Sequence, residues 1–145
     1  MRAAPFAAAL ALAVSLAAPA PAAPAARDTT APVTTVPLRD GAVFSRRRAP
    51  RLLRGRVGDD PSGLYSVKLR LTQRVGRHCS YFSGRRERFR RMYCGGGSFM
   101  RIGDQSDWSY LLPKRLGRGR YVLEAKAIDN AFNRGAPSRV RFRVK

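Results

Sequence analysis

The stretch "LYSVKLRLTQ" (residues 64–73) decides the fold class. Along it, apolar and polar residues alternate: Tyr65, Val67, Leu69 and Leu71 against Ser66, Lys68, Arg70 and Thr72. A period of two places the two sets on opposite faces of a β-strand, with the apolar set toward a core. Because one face stays polar, the pattern is typical of an antiparallel sheet that is packed on one side only.

The same period of two recurs along most of the chain. It predicts strands over 33–36, within 40–44, and over 51–59, 108–112, 119–129 and 138–145, with turn signals such as "DDPSG" between them. After residue 25, no segment of ten or more residues keeps a helical period. About seven short strands with intervening turns predict an all-β fold, an antiparallel sandwich.

The first residues predict export. Met1 and Arg2 precede the apolar run "AAALALAVSLAA" (7–18) and then a series of small residues. This order is typical of a signal peptide over residues 1–25, and cleavage after Ala22 or after Ala25 fits equally well. The apolar run is too short to cross a bilayer and no second one follows, so we expect no transmembrane span and a secreted, extracellular or periplasmic protein. Residues 26–32 are predicted to be a linker, and residues 33–145 one domain.

The stretch "CSYFSGRRERFRRMYC" (79–94) holds the only two cysteines of the chain. A zinc site would need about four closely spaced ligands, which these two cysteines do not provide. A thioredoxin-like redox pair would need the motif C-x-x-C, which is absent. We therefore predict a disulfide between Cys79 and Cys94 that staples a basic hairpin with its turn at 83–84. Arginine beside aromatic residues is also typical of single-stranded nucleic-acid binding, but an exported protein meets little nucleic acid, so no specific nucleic-acid partner is expected.

Three motifs carry a resemblance to a known family. The segment "LGRGRYVLEAKAIDNAFN" (116–133) resembles the L-x-x-G-x-Y-x-L-x-x-x-A-x-D-x-x-x-N ending of bacterial extracellular Ig-like and fibronectin type III-like modules. "DTTAPVTTV" (28–36) is similar to their opening, and "GRVGDDPSGLYSVKLRL" (55–71) to their G-x-V-x-D-x-S-G-x-x-x-V-x-L segment with one extra residue. The resemblance implies an Ig-like β-sandwich of about seven strands with a stalk, adhesion or spacer role and no catalysis.

The resemblance also has implications for two single residues, Tyr121 and Phe132. Tyr121 would start a late strand and lock a corner of the fold through a hydrogen bond from its hydroxyl to nearby backbone. Phe132 stands where such modules generally have glycine, so the geometry of the last turn is in question.

The charge of the chain favours anionic partners. Lysine and arginine number 29 against 9 acidic residues, a net charge of +20, and 25 of the 29 are arginine. If residues 64–73, 119–129 and 138–145 share a sheet, its outer side gathers Lys68, Arg70, Lys126, Arg139, Arg141 and Arg143, with Glu124 as the lone acid. The hairpin arginines Arg85, Arg86 and Arg88 would extend this face. We expect it to dock on an anionic envelope polymer or polysaccharide, and the alternative is a solvated surface without a ligand.

No catalytic or metal centre is expected. The sequence lacks G-x-S-x-G and H-E-x-x-H, and most of its aspartates lie in turns, where they cap backbone amides. The pole of the sandwich holds weak candidates for calcium, Asp59, Asp60, Asp129 and Asn133, but Asx turns are favoured, so we expect no metal and no cofactor. A small secreted hydrolase or inhibitor and a cationic antimicrobial protein remain open alternatives, as do the ligand, the oligomeric state and the physiological role.

Overall fold

The computed structural model of the chain describes residues 26–58 and 60–145. The signal peptide predicted over residues 1–25 and the calcium candidate Asp59 lie outside the described residues. Within the described part, the secondary structure is ten strands and one short 3₁₀ helix, with no α-helix. None of these residues forms a helix long and apolar enough to cross a membrane. The all-β prediction is therefore confirmed.

The strands are more numerous than the sequence indicated. In chain order they are β1 (Thr34–Thr35), β2 (Ala42–Phe44), β3 (Leu52–Val57), β4 (Leu64–Val75), β5 (His78–Ser83), β6 (Arg88–Met92), β7 (Met100–Gly103), β8 (Asp107–Leu111), β9 (Gly119–Asp129) and β10 (Ser138–Val144), and the 3₁₀ helix is Arg46–Arg48. The cysteine hairpin supplies β5 and β6, and the segment after it supplies β7. These strands raise the number above the expected seven.

The strands form two sheets. The small sheet has the order β1-β3-β8, and the large sheet has the order β2-β10-β9-β4-β5-β6, with β7 also pairing with β4. Every pairing is antiparallel except that of β10 with β2, which is parallel. The expectation of purely antiparallel sheets is therefore wrong for the large sheet. Since β3 to β9 lie between β2 and β10 in the chain, no tight hairpin turn requires these two strands to be antiparallel.

One hydrophobic core collects side chains from both sheets. Val67, Leu69 and Leu71 of β4 are fully buried in it, as the alternation along this stretch predicts. Leu53 of the small sheet and Trp108, only 4% exposed, reach the same core. The side of the large sheet that faces away from this core is called its outer face below, and it carries Lys68, Arg70 and Thr72.

Tyr65 does not follow the alternation. Its side chain was expected to face inward with Val67, but 44% of the residue is exposed, whereas Ser66 is fully buried. The register of β4 against β9 shifts between Leu64 and Ser66. Such a bulge turns one residue out of the regular alternation, which explains the correction.

Tyr121 makes the hydrogen bond that the family resemblance implies. Its hydroxyl donates to the carbonyl of Gly117 at 2.7 Å and accepts from Nε2 of Gln73 at 2.8 Å. Burial raises the pKa of Tyr121 to about 12, although the bond from Gln73 acts in the opposite direction. Its ring stacks on Phe142 with centroids 5.1 Å apart, so one side chain ties the start of β9 to β4 and β10.

The predicted disulfide is present. Cys79 and Cys94 are bonded across 15 positions of sequence. Cys79 lies in β5 and Cys94 follows β6, so the bond closes the hairpin at the end away from its turn.

Removal of this bond gives a first testable prediction. Replacing both Cys79 and Cys94 with alanine should lower the free energy of unfolding by about 3 kcal/mol, because the unfolded chain regains the entropy of a loop of this size. Urea denaturation measures the difference, and the parent protein in reductant is the control that should match the variant. Equal midpoints of parent and variant without reductant would contradict the prediction.

Candidate anion-binding groove

Three charged side chains meet across the outer face of the large sheet. The register places Arg70 of β4 and Arg139 of β10 opposite Glu124 of β9. Arg70 Nε donates to Glu124 Oε2 at 2.5 Å, and Arg139 donates to Oε1 through Nε at 3.0 Å and Nη2 at 2.7 Å. Each carboxylate oxygen therefore binds a different arginine, and the three strands are joined by side chains as well as by backbone.

Glu124 is the buried centre of this triad. Its side chain is 3% exposed. Burial by itself raises the pKa of the Glu124 carboxyl, but the hydrogen bonds and charges of Arg70 and Arg139 outweigh it, so the pKa lies below its ordinary value. The carboxylate is therefore ionised at neutral pH and holds both guanidinium groups against the sheet.

More arginines follow toward the end of β4. Arg141 lies opposite Val122, and Val122 lies opposite Thr72. One step further along the outer face, Arg120 of β9 lies between Arg143 of β10 and Arg74 of β4. Since residues directly opposite each other share a face of the sheet, these side chains form consecutive rows.

The segment after the hairpin crosses this face. We call residues 94–99 the strap; it begins at the disulfide and ends at Phe99. The carbonyl of Gly97 accepts a hydrogen bond from Arg70 Nη1 at 3.4 Å. The ring of Phe99 lies 4.6 Å from the Arg70 guanidinium and 4.2 Å from Lys126 Nζ. The strap is therefore held on the sheet by two cations and by a covalent bond.

A glycine is required where the strap lies closest to the hairpin. Gly97 has a φ of 106°, and a Cβ there would come within 2.9 Å of Tyr81 Cβ. Any other residue would lift the strap off the sheet. The run "GGGS", which could suggest a flexible loop, instead permits close contact.

A groove of about 590 Å³ lies between the strap and β10. Thr72 and Val122 contribute to its floor, and Gly95, Gly96 and the disulfide to the strap side. Its lining includes six arginines, Arg70, Arg74, Arg120, Arg139, Arg141 and Arg143, and one acid, Glu124. A second concavity of about 630 Å³ shares Arg74, Arg120 and Arg143 with the groove and adds Arg118 and Lys145. The two concavities therefore adjoin each other at these three shared arginines.

Four of the groove arginines keep their charge uncompensated. Within the part of the chain that the structure describes, no carboxylate lies within 4 Å of the side-chain nitrogens of Arg74, Arg120, Arg141 or Arg143. All four residues are exposed. A guanidinium group in this state can bind a carboxylate, sulfate or phosphate group with two parallel hydrogen bonds.

The basic residues that were predicted from the sequence to form one face lie in three different places in the structure. Four of them, Arg70, Arg139, Arg141 and Arg143, line the groove. Lys68 and Lys126 lie opposite each other on the same face but on the far side of Phe99.

Arg85, Arg86 and Arg88 lie at the turn of the hairpin, at the end opposite to the disulfide. Sequence reasoning missed Arg74 and Arg120 as groove residues. Both continue the alternation of Arg70–Thr72 and of Val122–Glu124, so the period of two was the signal that could have found them.

Comparison of the chain with models of protein families, with curated proteins and with solved structures finds no match.

At the opposite end of the large sheet, three aspartates come together. Ligand oxygens of Asp28, Asp60 and Asp129 lie within 4.8 Å of one another. Asp60 Oδ1 accepts from the backbone N–H and the hydroxyl of Ser62, and Asp129 Oδ1 accepts from the backbone N–H of Asn133. The bond from Ser62 to Asp60 is the Asx-turn hydrogen bond that the sequence favoured, whereas the bond from Asn133 to Asp129 spans four residues. Asp28, in the predicted linker, was not among the calcium candidates.

Asn133 acts as a donor in this cluster. Its amide nitrogen donates to the carbonyls of Asp28 and Thr30 at 3.1 and 3.2 Å and to Asp129 Oδ2 at 2.8 Å. A metal ligand would have to present the amide oxygen instead. The residue therefore binds the segment predicted as a linker to the last turn of the domain.

We expect no tight calcium binding at Asp28, Asp60 and Asp129, because Asp60 Oδ1 and both carboxylate oxygens of Asp129 already accept hydrogen bonds and the chain is strongly cationic, although Asp28 Oδ2 is buried without a hydrogen-bond partner among the described residues. Calorimetric titration of the parent protein with calcium measures this, and Asp129→Asn is the matched control. A sub-micromolar affinity in the parent that disappears in Asp129→Asn would contradict the expectation.

The triad gives a prediction on stability and pH. Glu124→Gln should lower the free energy of unfolding at pH 7 by about 2 kcal/mol, because the three charge-assisted hydrogen bonds from Arg70 and Arg139 weaken. Since the pKa of folded Glu124 is lowered, its stabilisation is full above the ordinary value of 4.5 and is lost as the pH falls through the folded value. The difference between parent and variant should therefore shrink at acidic pH.

Urea denaturation between pH 7 and pH 2 measures this difference. Glu87→Gln, which removes the same charge at the exposed hairpin turn, should leave the stability at pH 7 unchanged. A difference for Glu124→Gln that stays constant over the whole pH range would refute the ionised triad.

Proposed function

We propose that this protein is a non-catalytic module of the cell envelope that docks on an anionic polymer through the basic groove. The observation that carries the proposal is the set of four arginines without a carboxylate partner in two adjoining concavities. Like charges in such proximity destabilise a fold unless counter-ions or a ligand lie between them. An anionic ligand would supply that compensation.

The shape of the site favours a polymer over a single small anion. Arg74, Arg120 and Arg143 belong to both concavities, so the basic surface continues from the strap to Arg118 and Lys145 at the end of the sheet. Ion pairs between exposed groups contribute only about 0–1 kcal/mol each, so useful affinity requires several simultaneous contacts. A chain with an anionic group on successive units provides them.

The same proposal includes where the protein is located in the cell and which type of β-sandwich it forms. A disulfide is typical of a protein that matures in an oxidising compartment, which supports secretion directed by a signal peptide over residues 1–25. Two sheets around one core and the Tyr121 corner support an Ig-like β-sandwich from a bacterial extracellular protein. The hairpin, the strap and β7 would be an addition to the common pattern of such modules, and this addition forms one wall of the groove.

The hairpin is less suited to the alternative of membrane attack. Phe82 is buried, and Phe89 packs with its ring centroid 5.5 Å from Phe82 and 6.1 Å from Tyr121. Met92 lines the groove, so Tyr93 is the one large apolar side chain between the cysteines that is mostly exposed. Insertion into a bilayer would need several.

Charge reversal tests the groove. Changing Arg120, Arg141 and Arg143 to glutamate should lower the affinity for an anionic polymer by more than about tenfold and reduce the slope of log affinity against log salt by about three, because three contacts disappear. These side chains lie on the outer face, so the core residues Tyr121 and Phe142 should stay packed and the thermal midpoint should change little.

The matched control reverses Arg46, Arg47 and Arg48, the exposed residues of the 3₁₀ helix. This control variant changes the net charge by the same amount but at a place outside the groove. Most of the affinity for the anionic polymer should therefore remain. Fluorescence titration at several salt concentrations compares the three proteins. Equal losses in both triple variants would mean that the charge acts as an undirected background and that the groove is no site.

A further inference from the structure

Two aromatic side chains form an exposed pair at the end of the large sheet away from the groove. Tyr65 and Phe132 have ring centroids 5.4 Å apart, with a tilt of 55° between the rings. Tyr65 is 44% exposed and Phe132 69% exposed. We call this pair the aromatic platform.

A cation is attached to the platform. The Arg101 guanidinium lies 5.3 Å from the centre of the Tyr65 ring, and its Nη2 donates to the Tyr65 carbonyl at 3.0 Å. Within the part of the chain that the structure describes, Arg101 has no carboxylate partner. The platform thus offers apolar ring surface and a positive charge side by side.

The backbone of Phe132 shows that folding alone does not explain this side chain. Phe132 has a φ of 65°, in the left-handed region that bulky residues rarely adopt. Its ring remains mostly in water, so burial does not compensate for the strained backbone. Backbone strain of this kind clusters at ligand-binding sites, so it points to a role for the exposed ring.

The platform and the groove lie along the same strand. Tyr65 is near the start of β4 and Arg74 near its end, and nine residues of extended chain span about 30 Å. Between them, Lys68 lies opposite both Arg101 and Lys126 on the outer face. A row of cations therefore runs from the aromatic platform to Phe99, and the groove begins on the other side of the strap.

We propose that the aromatic platform is a sugar-binding subsite and that the polymer is therefore an acidic polysaccharide; this inference rests on the proposed function. The C–H face of a sugar ring packs on the faces of Tyr65 and Phe132, because aromatic faces carry negative potential. The acid group of that sugar lies beside Arg101, and those of the following units meet Lys68 and Lys126 and, on the other side of the strap, the groove arginines. A polyphosphate has equal charge but no apolar face, so it gains nothing from the platform.

The variant Phe132→Gly separates binding from folding. Polygalacturonate and inorganic polyphosphate of similar total charge are titrated against parent and variant at the same ionic strength. Loss of the ring should weaken polygalacturonate binding by about 3- to 10-fold and leave polyphosphate binding unchanged. Since glycine adopts a positive φ without strain, the melting temperature should rise by about 4 °C, which shows that the loss is not due to unfolding.

Glu87→Gly is the matched control. Glu87 also has a positive φ, 50°, and it lies in the hairpin turn away from the platform. This variant should likewise gain thermal stability, while the ratio of its affinities for the two polymers stays that of the parent.

The outcomes distinguish the two proposals. A loss confined to polygalacturonate supports the subsite. Unchanged affinity in Phe132→Gly, or an equal loss for both polymers, overturns the subsite and leaves the groove as the docking site. If the parent protein binds neither polymer, both the subsite and the proposed function are wrong.

Discussion

The pairing of β4 with β9 is the constraint on which the rest of the molecule depends. The two longest strands run antiparallel from Leu64 opposite Asp129 to Arg74 opposite Arg120. This register places Leu69 opposite Ala125 in the core and Arg70 opposite Glu124 outside it. A slip of one residue would exchange the faces, exposing the core leucines and burying the arginines. The hydrophobic core and the charged groove are therefore specified by a single register.

Glu124 limits the repulsion that this register creates. Six arginines line one groove, and the single carboxylate among its lining residues pairs with Arg70 and Arg139. Arg120, Arg141 and Arg143 remain exposed, where water and salt screen their charges at modest cost. Because these arginines are screened by water but have no carboxylate partner among the described residues, they are suited to bind an anionic chain.

The disulfide contributes to the site as well as to stability. It fixes the first residue of the strap beside β5, and the cations on Phe99 fix its last residue. Without the strap the outer face of the large sheet would be a flat basic surface. With it, the face is divided into a groove on one side and the row of Lys68, Lys126 and Arg101 on the other, which ends at Tyr65.

The sequence by itself determined the features that depend on local order. Alternation in steps of two is a property of neighbouring residues, and it was enough to predict the all-β class and the inward faces of β4, β9 and β10. Two isolated cysteines were enough for the disulfide, and the basic residues from these three strands do share one face. Only the tertiary structure decided how strands far apart in sequence meet. The parallel contact of β2 with β10, the bulge that exposes Tyr65 and the path of the strap all follow from contacts between distant segments, which no local period encodes.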